Sequence, residues 1–203
     1  EKQELWRVNN LLDKLQANGL IIHVNPLQEW LQPEGDRFEK PPIETIAAYL
    51  DKVDRPTIVK EVGQGMGQKS LKQLLQMPLA AIDFAANGGT NFAKLELERS
   101  DLTRREVYRQ LAYVGHSAEE MVEMVNKFQY LGNKIKCPEI IISGGVRHFL
   151  DGYYLINKIK MPAIYGQASA FLKHARGNYD ELANYVDAQV QGLELAKAFL
   201  KIK

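Results

Sequence analysis

Five short apolar runs divide the chain, at residues 20–24, 56–60, 79–85, 139–142 and 162–165. Each run is bounded by glycine, proline or polar residues, and each is continuously apolar rather than alternating. This pattern is typical of strands buried on both faces of a parallel sheet. The stretches between the runs carry apolar residues at helical spacing, so the chain predicts alternating strands and helices.

The helical patterns carry recognisable end signals. An amphipathic first helix is closed by Asn18 and Gly19, which predicts a C-terminal glycine stop. Ser117 and Glu120 have the spacing of a capping box at the start of another helix. Further helices are predicted after Pro41 and at residues 69–77, 150–159, 169–174 and 179–200.

The number of βα units leaves two folds open. Five units do not close an eight-stranded barrel. The chain is either an open doubly wound sheet or the last five units of a (β/α)8 TIM barrel. It begins at Glu1, without Met, inside an amphipathic pattern, so we expect an absent N-terminal portion. No linker or repeat interrupts the pattern, and residues 1–203 are predicted to form a single α/β domain.

Composition narrows the partners and the compartment. The net charge is +1, which gives no electrostatic case for nucleic acid or a membrane surface. Cys137 is the single cysteine, so it forms no intrachain disulfide, and a reducing cytoplasm is expected. Cys137 precedes Pro138 and an apolar run, which predicts an inert buried thiol. No signal peptide is visible, and no apolar run reaches the ~18 residues that span a bilayer.

Small polar and glycine residues follow every predicted strand. The carboxyl ends of parallel strands lie at one edge of a sheet, where α/β proteins place their ligands. Bare glycine backbone lets N–H groups approach a phosphate closely. The five strand ends are His23/Asn25, Lys60/Glu61, Asn87–Thr90, Ser143–Gly145 and Gly166–Ser169.

Each strand end also has a purely structural explanation. A Gly-Gly pair after a strand is often only a tight turn, and Lys60 can extend its ammonium to solvent. The polar segment at residues 23–29 can simply solvate a helix end. The same segment can also bind an anion through His23 and Asn25 and a hard cation through Glu29.

The sequences of these segments resemble those of one enzyme family. Residues 23–29 and 32–36 match the signature of the type 2, FMN-dependent isopentenyl-diphosphate delta-isomerases. Further matches follow in the same order, at residues 59–63, 88–93, 143–147 and 166–172. The resemblance covers nearly the whole chain from residue 19 and implies the TIM barrel.

The resemblance assigns a substrate side to the first segment. His23 and Asn25 match residues that grip the diphosphate. Gln28 matches the residue beside the reacting alkene, which makes it the candidate catalytic side chain. Glu29 matches the carboxylate that positions Mg²⁺.

The later segments match the flavin side of the same family. Lys60 matches a residue that contacts FMN near the anionic side of its reduced ring, and Thr90 matches a flavin-contacting threonine. The FMN phosphate is implied to lie against Gly144, Gly145, Ala168 and Ser169. Arg147 follows the glycine pair and is expected to support that phosphate by charge.

The implied reaction is the isomerisation of isopentenyl diphosphate to dimethylallyl diphosphate. Mg²⁺ would neutralise the diphosphate, and NADPH would reduce the flavin without being consumed stoichiometrically. A homo-oligomer is expected. In the family the N-terminal portion adds an Arg-Lys pair and several FMN contacts, and nothing here matches it, so we expect about half of a site.

Two other functions stay open. An FMN-barrel oxidoreductase of 2-hydroxy acids would need a histidine base and arginine, for which Arg147 and His148 are candidates. The Gln28-Glu29 pair argues against it, because a carboxylate substrate needs no Mg²⁺ ligand there. A catalytically inert fragment is the non-enzymatic alternative.

Overall fold

Five parallel strands form one sheet in the computed structural model, which describes residues 2–203 and the side chains from residue 6 onward. Every strand lies inside a predicted apolar run, and the predicted α/β class is confirmed. The strands are β1 (Leu20–His23), β2 (Thr57–Lys60), β3 (Ala81–Asp83), β4 (Glu139–Ile142) and β5 (Ala163–Tyr165).

Helices occupy the connections between the strands, and each predicted helix is present. Three further helices were not predicted: one directly after β1 and two between β3 and β4. The helices are α1 (Lys2–Lys14), α2 (Pro26–Leu31), α3 (Pro42–Leu50), α4 (Gln68–Leu75), α5 (Phe92–Glu98), α6 (Leu102–Tyr108), α7 (Ala118–Tyr130), α8 (Phe149–Lys158), α9 (Ser169–Ala175) and α10 (Tyr179–Phe199), with a 3₁₀ helix at Arg109–Tyr113.

The strand order follows the chain order. The sheet runs β1-β2-β3-β4-β5, and each strand pairs in parallel with the next. A doubly wound sheet would reverse its order at a switch point, and the described strands contain no such reversal. Consecutive order is compatible with part of a barrel.

One face of the sheet is covered by helices and forms the core. Val59, Ile82 and Ile140 are at most 1% exposed on this face. They pack against the inner sides of α4 and α7, from which the largest contributors are Leu71, Leu75, Met121 and Val125. Burial of these side chains contributes about 1.5–3 kcal/mol each.

The opposite face of the sheet lies open in the described chain. Ile21 and Ile164, on the two edge strands, are 58% and 62% exposed. Their registers place Ile58 and Ile141 on the same face. The expectation of strands buried on both faces is therefore wrong for the described chain, in which helices cover only one face. We call this surface the open face.

One helix end and one whole helix differ from the prediction. The first helix ends at Lys14, and Gln16 with φ +51° makes the left-handed turn expected of Gly19. Gly19 is needed for a different reason, since a Cβ there would clash with the carbonyl of Pro56. The unpredicted α2 has Asn25 as N-cap and Pro26 in its first turn, a start signal present in the sequence.

The length and composition of the described helices bear on membrane insertion. Across residues 2–203, no helix combines the length and apolar character required to cross a bilayer.

Candidate active site

His23 and Lys60 lie side by side at the carboxyl ends of β1 and β2. They are register partners, so both side chains project from the open face. The pKa of His23 is lowered, first by its partial removal from water and then by the charge of Lys60, while Glu29 acts in the opposite direction. Lys60 and Glu29 therefore both lie within electrostatic reach of His23.

Asn25 acts first as the cap of α2. Its side chain is 2% exposed, and Oδ1 accepts a hydrogen bond from the Gln28 amide at 2.8 Å. The buried Nδ2 has no hydrogen-bond partner. Only this amide group is left to meet a ligand, because the carbonyl oxygen already holds the helix start.

Gln28 and Glu29 occupy the first turns of α2. The Oε1 atom of Gln28 is buried without a partner. The Oε2 atom of Glu29 accepts from the Asp36 amide at 3.2 Å, and Arg37 donates to the Glu29 carbonyl at 2.8 Å. These contacts fold residues 35–37 back over α2 and fix the Glu29 carboxylate.

The described side chains hold no ready-made metal cage. Among them, no group of three or more His, Cys, Asp or Glu residues is placed to bind an ion. Glu29 supplies a single carboxylate. Mg²⁺ commonly binds proteins through one or two carboxylates and takes its other ligands from substrate phosphates and water.

Lys60 is half-buried, and its ammonium turns back onto the main chain. Nζ donates to the Glu61 carbonyl at 2.7 Å. The side chain therefore neither extends fully to solvent nor forms an ion pair in the described structure. Its charge stays at the carboxyl edge of the open face.

Glu61 organises the loop that follows β2, a role that the sequence interpretation missed. The residue is 7% exposed, and its Oε2 accepts from the amides of Gly63, Gln64 and Gly65 at 2.7, 2.7 and 2.9 Å. Burial raises the pKa of Glu61, and the backbone hydrogen bonds only partly oppose this. An acid two residues before Gly63 and four before Gly65 was the available signal.

Asp83 was also missed. It ends β3 on the open face, as the register partner of Lys60. Its Oδ1 accepts from the Ser143 hydroxyl, and the Ala85 amide donates to Ser143 Oγ at 3.0 Å. The contact joins residues 60 positions apart and fixes the start of the glycine pair after β4, whereas its only sequence signal was an acid ending an apolar run.

Two predicted glycine segments meet at the carboxyl edge. Gly144 and Gly145 adopt φ +83° and +75°, which other residues rarely adopt. A Cβ on Gly88 would lie 3.1 Å from Gly145 Cα, so the loops after β3 and β4 touch through bare backbone. Thr90 follows on the first of these loops and is exposed.

A cavity of about 200 Å³ lies on the helix side of the glycine pair. Glu119 and Asp151 contribute carboxylates to its lining. These negative charges disfavour a phosphate there. An anion would approach Gly144 and Gly145 from the loop side instead.

Ala168 and Ser169 lie at the other edge of the sheet. They begin α9 after β5, with Ala168 as an N-cap that makes no side-chain hydrogen bond. Four strand spacings separate them from His23, roughly 19 Å along a flat sheet. The structure therefore brings His23, Lys60 and Glu29 together, and Gly88 with Gly145, but leaves Ser169 apart from the first group.

The surroundings of His148, His174 and Cys137 indicate structural rather than catalytic roles. His148 caps α8, its Nδ1 accepting from the Asp151 amide at 3.3 Å. His174 stacks on Tyr185 with ring centroids 4.2 Å apart. Burial raises the pKa of Cys137 to about 11, which confirms the inert thiol.

The fold and the candidate site define a class of protein: an α/β protein whose sheet has a polar, glycine-rich carboxyl edge. The chain is similar to proteins named isopentenyl-diphosphate delta-isomerase. It is 31% identical over 196 residues to one from Synechocystis sp., covering 95% of this chain and 53% of the relative. It is 32% identical over 192 residues to one from Staphylococcus saprophyticus (93% and 52%) and 34% identical over 184 residues to one from Bacillus pumilus (88% and 47%).

The chain spans about half the length of these curated relatives. No family model matches it. The sequence-based identification as a type 2, FMN-dependent isomerase lacking its N-terminal portion is corrected accordingly. The relatives' names specify the isomerase but neither a type nor a cofactor, so the similarity is to isopentenyl-diphosphate delta-isomerases without further division.

Proposed function

We propose that this chain contributes to the isomerisation of isopentenyl diphosphate to dimethylallyl diphosphate. The observation that carries the proposal is the grouping of His23, Lys60 and Glu29 at one edge of the sheet. That grouping occurs in a chain similar over 95% of its length to a protein named for this reaction.

The diphosphate would bind at the β1 exit. His23 and the free amide of Asn25 would donate to its oxygens, and Lys60 would add long-range charge. Glu29 would hold one Mg²⁺, whose remaining ligands come from the diphosphate and water. Gln28, with an unpartnered Oε1, would orient the alkene end of the substrate.

FMN fits the remaining predicted positions. Thr90 and Lys60 would contact its ring, and the bare backbone of Gly144 and Gly145, with Ala168 and Ser169, would receive its phosphate. A Cβ on Gly144 would clash with the backbone of Ala86, so this part of the carboxyl edge must remain bare backbone. When bound and reduced through NADPH, the flavin supplies an acid–base centre beside the double bond.

A (β/α)8 barrel would join the two halves of this site. The open face exposes Ile21 and Ile164, and parallel sheets are normally covered on both faces. We propose three further strands, on the same polypeptide or another. Curvature into a barrel would shorten the distance between His23 and Ser169 and enclose the ligands.

The rival oxidoreductase reading has weaker support. It needs His148 as a base beside the flavin, yet the His148 ring is engaged in capping α8. Arg147 is exposed, and its amide donates to Asp151 at 2.9 Å.

A fusion experiment tests the proposal. Residues 1–203 are joined to the portion of the Synechocystis isomerase that they do not match, giving what we call the fused protein. Conversion of isopentenyl diphosphate is followed by NMR, with FMN, NADPH and Mg²⁺ each omitted in turn. We expect turnover that needs all three. Turnover without FMN would contradict the cofactor, and a folded, flavin-loaded fused protein without turnover would contradict the function.

A further inference from the structure

A second cavity lies on the helix-covered side of the sheet, away from the open face. Its volume is about 700 Å³, within the range of small-molecule sites. It is enclosed by α3, α4 and the loops after β1 and β2. Of the ten site residues predicted from sequence, only Asn25 lines it.

The interior of this cavity is apolar. Ile46, Met66 and Leu74 line it and are each 4–6% exposed. Val24, Ile43 and Pro42 continue the same wall. Such a surface is suited to a hydrocarbon chain, because binding is favoured by the apolar area that is removed from water.

Two buried amides in the lining lack partners. Asn25 is 2% exposed with an unpaired Nδ2, and Gln64 is 6% exposed with an unpaired Oε1. Buried polar groups normally have a hydrogen-bond partner. A ligand carrying polar atoms would supply one here.

The start of α4 gives the cavity a positive end. Gly67 is the N-cap and has no side chain to accept from the first turn, so the leading N–H groups face outward. Lys69 and Ser70 line the cavity in that turn. A Cβ on Gly67 would lie 3.9 Å from His116 Nε2, which places the imidazole across from the helix start.

The acidic groups nearby are already engaged. Glu61 lines the cavity, but its Oε2 accepts three backbone hydrogen bonds. Glu120 lies 4.0 Å from His116 Nδ1 and accepts from the Ser117 amide at 2.7 Å. The Glu61 carboxylate is thus bound to the amides of its own loop and that of Glu120 to the start of the next helix, whereas the first turn of α4 and Lys69 have no such acidic partner among the hydrogen bonds and ion pairs described.

We propose that this cavity binds an amphiphile with an apolar chain and an anionic head. The chain lies against Ile46, Met66 and Leu74, and the head lies at the first turn of α4 near Lys69 and Ser70. The proposal does not depend on the isomerase reaction: of the residues that carry it, only Asn25 also belongs to the proposed diphosphate site.

Calorimetric titration of the 203-residue chain tests the proposal with four probes: decanoate, decyl phosphate, decanol and inorganic phosphate. We expect decanoate and decyl phosphate to bind at least tenfold more tightly than decanol or inorganic phosphate. The tighter of the two anionic probes identifies the head as a carboxylate or a phosphate. Absence of saturable binding of both up to about 1 mM overturns the proposal.

Matched variants locate the two ends. Ser70→Glu places a carboxylate at the third helical position, where it stabilises a helix, so the fold is retained. The Ser70→Glu variant should bind both anionic probes at least tenfold more weakly and bind decanol with unchanged affinity. The Ser70→Gln variant should bind like the parent protein. Equal binding by Ser70→Glu overturns the placement of the head.

Two further variants separate this cavity from the reaction site. Ile43→Trp fills the chain end and should weaken every chain-bearing probe, with folding checked by circular dichroism. His23→Ala, on the open face, should leave decanoate binding unchanged. A folded Ile43→Trp variant with parental binding, or weakened binding in His23→Ala, shows that the probes bind elsewhere and overturns the proposal.

Discussion

Lys60 and Asp83 are register partners at the carboxyl ends of adjacent strands, and their opposite charges share the open face. Each nevertheless has its own partner. Lys60 donates to the Glu61 carbonyl, and Asp83 accepts from the Ser143 hydroxyl. The ammonium is therefore held at the edge of the face without being neutralised by the neighbouring acid, where it remains available to an anionic ligand.

Replacing Lys60 by alanine should weaken the binding of reduced FMN more than the binding of oxidised FMN. In the proposed FMN site, the ammonium would stabilise the anionic form of the reduced ring through its charge. We expect the ratio of the two dissociation constants to change by about tenfold, or ~1.4 kcal/mol. Flavin titration of the fused protein under oxidising and reducing conditions measures it. Lys52→Ala, an exposed lysine after α3, is the control, and an unchanged ratio in Lys60→Ala would reject the role.

The strands were predictable because buried strands appear in the sequence as apolar runs. All five strands were located in this way, and the capping box of Ser117 and Glu120 was located by the spacing of its two residues. The open face was not predictable, since Ile21 and Ile164 read as buried residues whether or not anything covers them. What covers a sheet is a property of tertiary structure rather than of the strand.

The clustering of candidate site residues was predictable where the residues are close in sequence. Residues 23–29 appear as one segment and remain together in the structure. The contact between Asp83 and Ser143 joins two strands, and no local sequence pattern indicates it. The α2 helix was a different kind of omission, because the Asn25-Pro26 start signal was present and was read as a loop.

Glu29→Gln should weaken magnesium pyrophosphate binding while sparing flavin content. The amide can still accept from the Asp36 backbone, so the loop should keep its fold, but a neutral amide is a poorer Mg²⁺ ligand. We expect at least a tenfold loss of affinity by calorimetry in the fused protein. Glu34→Gln, whose partner Arg99 lies on the surface, serves as control. Parental affinity in Glu29→Gln would exclude Glu29 from the metal site.

Gln28→Leu separates stability from catalysis. The Gln28 side chain has a buried Oε1 without a partner, while its backbone amide maintains the cap to Asn25. Removing an unsatisfied polar atom should leave the melting temperature equal or higher. Turnover of the fused protein should nevertheless fall at least tenfold. A stable variant with full kcat would show that Gln28 does not orient the substrate.

The raised pKa of Glu61 predicts a pH-dependent stability. Because burial raises its pKa above 4.5, the folded chain binds more protons than the unfolded chain just above that pH. Stability contributed by this group is therefore lost as pH rises through the folded pKa. Glu61→Gln should flatten this slope in urea midpoints measured from pH 4 to 7. Glu61→Ala, which also loses the acceptor for three amides, should cost about 2–4 kcal/mol at all pH values. A slope equal to that of the parent in Glu61→Gln would assign the pH dependence to other groups.

The open face should also govern the behaviour of the isolated 203-residue chain. Ile21 and Ile164 mark an apolar surface bounded by two unpaired strand edges, which favours association. Sedimentation should detect oligomers, and Ile21→Lys combined with Ile164→Lys should reduce them. Leu102→Lys, on the exposed side of α6, should not.

Without further strands over the open face, we expect the isolated chain to show no isomerase turnover even with FMN, NADPH and Mg²⁺. His23 and Lys60 would meet the diphosphate from one side only, with water on the other. Each missing charge-assisted hydrogen bond lowers affinity by about 1.5–3 kcal/mol, and ~1.4 kcal/mol is a factor of ten. NMR of isopentenyl diphosphate incubated with the chain, alongside the fused protein, measures the difference. Clear conversion by a monodisperse monomer would show that the five-stranded sheet is a complete catalyst and that nothing need cover the open face.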